Sequence, residues 1–79
     1  MKKYAEKSNV VGNLIKEYRK KQNLSKTKLC NMLQLHAIYL DITELKRIED
    51  GEMIVKDFEL IGLCKVLEID FEELKNTIE

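Results

Sequence analysis

The side chains of this sequence that could carry chemistry are mostly basic, and they are concentrated in its first half. Residues 1–30 carry nine Lys or Arg and two Glu, a net charge of +7, whereas residues 31–79 carry five Lys or Arg and twelve Asp or Glu, a net charge of −7. The total charge of zero therefore hides a basic half and an acidic half. The asymmetry favours a basic face for phosphate groups over an ordinary solvated surface.

Other chemistries find little support in the residue types. His36 is the only histidine, no nucleophile lies at a recognisable spacing from a base, and no glycine-rich loop could hold phosphates. Cys30 and Cys64 each lie in an apolar helical stripe, so we expect two buried, reduced thiols rather than a disulfide or a metal site. The sequence predicts a protein that is not an enzyme and that uses no metal and no cofactor.

The composition favours an all-α fold, so helices must position the basic side chains. The chain has no Pro and 3 Gly among 79 residues, and its apolar residues recur at three- and four-residue spacing. We expect one domain over residues 1–79, with a flexible N-terminal arm at residues 1–7. Without a secretory pattern or an apolar run of roughly 20 residues, we expect a cytoplasmic protein without a membrane partner.

Cap residues and apolar spacing predict five helices. Their expected start residues, each able to accept a hydrogen bond from a free amide, are Ser8 or Asn9, Ser25, Asp41, Asp57 and Asp70. Two of these starts have a Glu three residues later, Glu44 and Glu73, and are expected to form capping boxes. Gly51 follows the last apolar position of the third helix and is expected to adopt the left-handed conformation that ends a helix.

The expected core draws on all five helices and on an apolar connection between the second and third, residues 33–40. The helical residues expected to face inward are Val11, Leu14, Ile15, Tyr18, Leu29, Cys30, Leu33, Leu45, Ile48, Phe58, Ile61, Leu63, Cys64, Leu67, Phe71, Leu74 and Ile78. Leu35, Ile38 and Tyr39 are also expected on the core, either in an extension of the second helix or in a compact connection. Gly62 is expected at a close helix contact, since Gly costs a helix about 1 kcal/mol relative to Ala.

The order of several motifs resembles the Cro/C1-type (XRE-type) helix-turn-helix family over about residues 10–75. The motifs are LIKEYRKKQNLS, TKL, LKRIEDG and KVLEIDFEEL, with Arg19 six residues before Ser25 as a specific element. The resemblance implies a compact five-helix, lambda-repressor-like domain, here with an extended turn between helices 2 and 3. It also implies a sequence-specific, repressor-like transcriptional regulator of bacterial or phage type that binds double-stranded DNA as a homodimer.

The resemblance places the DNA-reading surface on the third helix, at about residues 42–50. Its base-reading positions fall on Ile42, Thr43 and Arg47: Arg47 could reach guanine O6 and N7, Thr43 a base or phosphate, and Ile42 a thymine methyl group. The positions expected at phosphates or at the edge of the site are Arg19, Lys26, Thr27, Lys28, Glu44 and Lys46. The family pattern also pairs Arg19 with Glu49, an ion pair that would join the first and third helices.

The charge near the third helix supports an alternative, a helix-turn-helix-fold protein-interaction module or antitoxin-type regulator with weak or no DNA binding. The carboxylates that oppose phosphate binding there are Asp41, Glu44, Glu49, Asp50 and Glu52. If the folded domain carries its basic residues on one face, that face would favour DNA binding; these residues are Lys16, Lys20, Lys26, Lys28 and Arg47. If the carboxylates of Glu44, Asp50 and Glu52 crowd that face, it would favour the interaction module.

Overall fold

Five α-helices account for most of the chain in the computed structural model, which describes residues 7–78. They are α1 (Gly12–Lys21), α2 (Lys26–Gln34), α3 (Ile42–Glu49), α4 (Asp57–Leu67) and α5 (Phe71–Ile78). No strand occurs within residues 7–78, so the expected all-α, five-helix fold is confirmed. In the same part of the chain, no helix combines the length and the apolar character that a bilayer span requires. Residues 1–6 of the expected N-terminal arm lie outside the described residues.

Side-chain caps form at α2 and α3 as the sequence predicts. The N–H of Lys28 donates to Oγ of Ser25 at 3.0 Å. Asp41 and Glu44 form the reciprocal capping box, in which each backbone N–H donates to the other residue's carboxylate, at 2.7 and 3.0 Å. Gly51 adopts the expected left-handed conformation after α3, with φ of +76°. Local sequence therefore determines where α2 and α3 begin and where α3 ends.

The N-cap of α1 is Val11 rather than the expected Ser8 or Asn9, but the side chain of Asn9 joins the start of α1 to the end of α3. Its Oδ1 accepts hydrogen bonds from the N–H groups of Val11 at 3.0 Å and Gly12 at 2.7 Å. Its Nδ2 donates to the carbonyl oxygens of Ile48 at 3.0 Å and Met53 at 2.8 Å. One side chain thus satisfies two amides at the start of a helix and two carbonyls at and just after the end of another.

The core lies among α1, α2, α3 and α4, and most of it comes from the helical positions that were expected to face inward. The buried apolar residues are Val11, Leu14, Ile15, Leu29, Cys30, Leu33, Ile38, Leu40, Leu45, Ile48, Leu63 and Leu67. Cys30 is buried and Cys64 is half-buried, and both thiols are free. Burial raises the pKa of both thiols, which favours the uncharged form.

The expected inward faces of α4 and α5 are partly wrong. Phe58 and Ile61 of α4 are exposed, as are Phe71 and Ile78 of α5, which contains no buried residue. Apolar residues occur around the whole circumference of α4, so their spacing did not show which side faces the core. In α5, Leu74 is partly buried and packs against the core as expected, whereas Phe71 and Ile78 at the two ends of the helix are exposed.

The start of α5 also differs from the expected capping box. Asp70 N–H donates to the hydroxyl of Tyr18 at 3.4 Å, and the same hydroxyl donates to the carboxylate of Glu73. The hydrogen bond to Glu73 is the main cause that raises the pKa of Tyr18. The two groups that would bond to each other in a capping box are therefore joined through a side chain of α1. The start of α4 also differs from the expectation that Asp57 caps the helix. Asp57 is instead the first helical residue, and the N–H of Lys56, the residue at the cap position, donates to Oε1 of Glu59 at 2.9 Å.

The connection between α2 and α3 is a compact turn rather than an extension of α2. The N–H groups of His36 and Ile38 both donate to the carbonyl oxygen of Leu33, at 2.9 and 3.1 Å. Ala37 has a φ of +59°, a left-handed conformation that turns the chain away from the axis of α2. The connection thus spans seven residues, 35–41, between the last residue of α2 and the first of α3.

Side chains in this connection alternate between core and solvent. Ile38 and Leu40 are 5% and 4% exposed, whereas Leu35 and Tyr39 are 85% and 73% exposed. The expected burial of Leu35 and Tyr39 is wrong. Leu35 is the C-cap of α2 and is exposed there, and Tyr39 is directed to solvent between two residues that are buried. Ile38 packs against Gly62 of α4, where a Cβ would overlap its Cδ1, so the close contact expected at Gly62 is confirmed.

Gly12 lets α1 begin directly against the end of α3. A Cβ at this position would overlap the carbonyl oxygen of Ile48 and lie 2.9 Å from that of Glu49, and neither backbone atom can rotate away. We therefore expect Gly12→Ala to lower the free energy of unfolding by about 1–3 kcal/mol, the usual cost of overpacking. Urea denaturation measures this change. Asn13→Ala, at the next and exposed residue, is the control and should stay within about 0.5 kcal/mol; equal midpoints for the two variants would contradict the prediction.

Candidate nucleic-acid-binding surface

One side of α3 is fixed in the core and the other faces solvent. Leu45 and Ile48 are completely buried, whereas the exposed residues of α3 are Ile42, Thr43, Lys46 and Arg47. Helical spacing places Thr43, Lys46 and Arg47 opposite the buried pair, and Ile42 at the edge of the exposed side. All three residues expected to read bases therefore lie on the solvent side of the same helix. The capping box at its start and the buried contacts along its length hold that side in a defined orientation.

Arg19 and Glu49 form the expected ion pair between α1 and α3. Nε of Arg19 lies 2.6 Å from Oε2 of Glu49, and Nη2 donates to Oε1 at 3.0 Å. Nη1 donates to the carbonyl oxygen of Leu24 at 2.9 Å, which ties the chain after α1 to the same group. Arg19 is 6% exposed and Glu49 is 5% exposed. The hydrogen bond to Glu49 raises the pKa of Arg19. The guanidinium is thus committed to the fold and offers little surface to a phosphate.

The carboxylates around α3 are mostly engaged within the protein. Asp41 and Glu44 bond to backbone amides in the capping box, and Glu49 bonds to Arg19. Oδ2 of Asp50 lies 2.9 Å from Nζ of Lys46. Glu52 is exposed, and its backbone rather than its carboxylate contacts Arg47. Cations therefore offset the negative charge at Glu49 and Asp50, whereas Asp41, Glu44 and Glu52 keep theirs.

Basic side chains from three helices come together near the end of α3. Lys46 lowers the pKa of Asp50 through a hydrogen bond, and Lys16 of α1 and Lys26 of α2 lower it further through their charges. Nζ of Lys7 donates to the carbonyl oxygen of Asp50 at 3.0 Å. Lys7 and Lys16 thus line a groove with Asp50 at the end of α3, and Lys26 acts on the same carboxylate through its charge. Lys26 was expected as a phosphate contact and Lys16 only as a member of a possible basic face, whereas Lys7 was not assigned to the site.

The other basic candidates are distributed more widely. Thr27 and Lys28 are exposed on the outer side of α2, where they line a shallow groove with Leu35. Lys20 is exposed in the last turn of α1. The structure therefore assigns Lys26 to the end of α3 and places Thr27 and Lys28 on a neighbouring surface of α2.

Arg47 is the exposed arginine of α3, and most of its donors face solvent. Its Nη2 lies 3.5 Å from the carbonyl oxygen of Glu52, at the long limit of a hydrogen bond. An Arg guanidinium has five N–H donors in a rigid planar arrangement. The guanidinium can therefore leave this contact and form two parallel hydrogen bonds to a guanine edge or a phosphate at little cost.

Neither a metal centre nor a known relative accounts for this surface. Within residues 7–78, no group of three or more His, Cys, Asp or Glu side chains is arranged to hold a metal ion. Comparisons of the chain with protein-family models, curated proteins and solved structures found no match. A function for the protein must therefore be argued from the geometry and charge of α3 and its surroundings, together with the motif resemblance.

Proposed function

We propose that this protein is a sequence-specific DNA-binding transcriptional regulator of bacterial or phage type, repressor-like, acting in the cytoplasm. In this proposal α3 enters the major groove of double-stranded DNA. The observation that carries the proposal is the solvent side of α3, where Ile42, Thr43 and Arg47 stand together on a helix held by core contacts and a capping box. Arg47 provides bidentate recognition of guanine, and Thr43 and Ile42 provide hydrogen-bonding and methyl contacts.

The charges around α3 support this proposal. Phosphate contacts supply most of the affinity of DNA-binding proteins, and they require cations near the reading helix. Lys16, Lys26 and Lys46 lie near the end of α3, and the carboxylate of Asp50 among them is already paired. The zero net charge of the whole chain therefore does not describe the end of α3, where these three lysines act on one carboxylate.

A homodimer is part of the proposal. One domain presents a single reading helix of eight residues, which covers only a few base pairs. Helix-turn-helix proteins usually combine two such helices on half-sites one helical turn apart. Phe71 and Ile78 are exposed at a spacing of seven residues on one side of α5, and this apolar side is suited to contact with a second copy.

The exposed apolar residues of α4 favour a second candidate function, a protein-interaction module or antitoxin-type regulator with weak or no DNA binding. Phe58 and Ile61 are exposed beside the connection from α2 to α3, and they line a groove with His36 and Lys65. Apolar side chains grouped at the surface often mark protein contacts. This reading predicts a protein partner for α4, whether or not α3 also contacts DNA.

Selection from a pool of randomised DNA duplexes tests the proposal. We expect the purified protein, at low and moderate salt, to enrich a two-fold symmetric site with half-sites about one helical turn, or 34–36 Å, apart. Affinity should fall steeply as salt increases, because phosphate contacts release counterions. Salt-sensitive binding without enrichment would reduce the protein to a backbone binder. No binding at either salt would refute the proposal in favour of the protein-interaction module.

A further inference from the structure

We propose that Tyr39, in the connection before α3, is an additional specificity-determining residue that contacts DNA beside the reading helix. This inference rests on the proposed DNA-binding function and deepens it. Nothing in the motif resemblance assigns a role to Tyr39, because it lies in the part of the connection that is longer than the family pattern. The contact we assign is packing of the Tyr39 ring on a thymine methyl group, with its hydroxyl hydrogen-bonded to a neighbouring phosphate.

The two neighbours of Tyr39 determine the direction of its side chain. Ile38 and Leu40 are both buried in the core, and residues 38–40 belong to neither a helix nor a turn. Tyr39 lies between them with 73% of its surface exposed, so its side chain is directed to solvent. The burial of both neighbours holds Tyr39 in this outward position.

The backbone that carries Tyr39 is restrained on both sides. Before it, the turn is closed by hydrogen bonds to the carbonyl oxygen of Leu33, and Ile38 is packed against Gly62. After it, Asp41 is bound to Glu44 in the capping box of α3. Because this backbone is already ordered, it loses little conformational entropy when Tyr39 binds. More of the energy of the contact is then available as affinity.

The position of Tyr39 along the chain places it next to the reading helix. Asp41 is the N-cap of α3, and Ile42 and Thr43 are its first helical residues. Three residues of extended chain span at most about 10 Å, so Tyr39 lies within that distance of Ile42. In helix-turn-helix complexes, the N-terminal residues of the reading helix contact base edges. Tyr39 is therefore expected at the base pair next to those read by Ile42 and Thr43.

The chemistry of a phenol suits this position. The ring supplies an apolar face for a thymine methyl group in the major groove, and the hydroxyl can donate to a phosphate oxygen. Leu35, the other exposed apolar residue of the connection, lies at the end of α2 and lines a different groove. The connection therefore contains two exposed large apolar residues, Tyr39 close to the start of α3 and Leu35 at the end of α2, which provide a matched pair for comparison.

The test compares Tyr39→Ala with Leu35→Ala in the duplex selection, followed by titration of each protein on the site that the wild type selects. Tyr39→Ala should lose preference for one base pair in each half-site. Its affinity for the wild-type site should fall about 5- to 150-fold for each lost contact, the range for a single base-pair mismatch. Tyr39→Phe should keep the base preference and weaken binding to all sequences alike. Leu35→Ala should behave as the wild type, and the melting temperature of each variant shows whether it is folded.

Three outcomes would overturn the inference, and the first two differ in what else they remove. If Tyr39→Ala selects the same site with unchanged affinity, Tyr39 does not read DNA, although the proposed function stands. If the wild type selects no site, both the proposed function and the role of Tyr39 are refuted. Equal losses for Tyr39→Ala and Leu35→Ala would also count against the inference, because they would show a general effect of the connection on α3.

Discussion

Replacement of Arg19 by Ala is expected to lower the free energy of unfolding by about 3–5 kcal/mol, the usual cost of removing one partner of a buried ion pair. The variant leaves the carboxylate of Glu49 buried without its partner, and it removes the donor to the carbonyl oxygen of Leu24. Each kcal/mol corresponds to about 4–8 °C in a domain of this size, so the melting temperature should fall by at least about 12 °C. Thermal unfolding followed by circular dichroism measures this shift.

Two controls separate the ion pair from a general effect of substitution in α1. Lys20→Ala removes the exposed neighbour of Arg19 and should leave the melting temperature nearly unchanged. The double variant Arg19→Met with Glu49→Leu removes both charges, and it should recover much of the stability because no buried charge is left unpaired. An Arg19→Ala variant that melts with the wild type would show that the pair does not stabilise the contact between α1 and α3.

The second large effect is expected at Arg47, whose replacement by Ala should abolish the preference for guanine at the base pair it contacts, in a domain that stays folded. A bidentate Arg–guanine contact is worth about 1–3 kcal/mol of discrimination, or roughly 5- to 150-fold for each half-site. Stability should change little, because Arg47 is exposed and its contact with Glu52 is a long hydrogen bond. Fluorescence anisotropy with the selected duplex, and with a duplex in which the contacted guanine is replaced, measures the discrimination.

Arg47→Lys is the matched control, since it keeps the positive charge but not the planar pair of donors. This variant should retain most of the salt-dependent affinity and lose most of the discrimination. Retention of the full preference by Arg47→Ala would assign base reading to other residues of α3, and it would remove the main support for recognition of guanine.

The features that the sequence predicted correctly depend on residues close together in the chain. Ser25 and the pair Asp41 and Glu44 act over three residues, and Gly51 acts through its own backbone conformation. The inward faces of α4 and α5 were harder to predict, because contacts with residues far away in the sequence determine which side of each helix packs. Tyr39 was expected in the core for the same reason, since an apolar residue alone does not indicate its direction in a turn.

The candidate site also combines features that local sequence predicts with features that depend on contacts between distant residues. Helical spacing alone places Thr43 and Arg47 on one side of α3, and the buried pair of Arg19 and Glu49 followed from the motif resemblance. The association of Lys7, Lys16 and Lys26 with the end of α3 depends on the packing of three helices. Such proximity between residues about 24 to 43 positions apart in the sequence has no local signal.

The four hydrogen bonds of Asn9 have a consequence for the order in which the chain can fold during its synthesis. The carbonyl groups that Asn9 Nδ2 binds lie 39 and 44 residues further along the chain. A nascent chain that ends within the connection before α3 lacks both of these acceptors, and it also lacks Glu49, the partner of Arg19. On the ribosome, α1 and α2 therefore cannot reach their final arrangement alone. The domain closes only when the segment after α3 has left the exit tunnel, so folding is a late event that involves most of the chain.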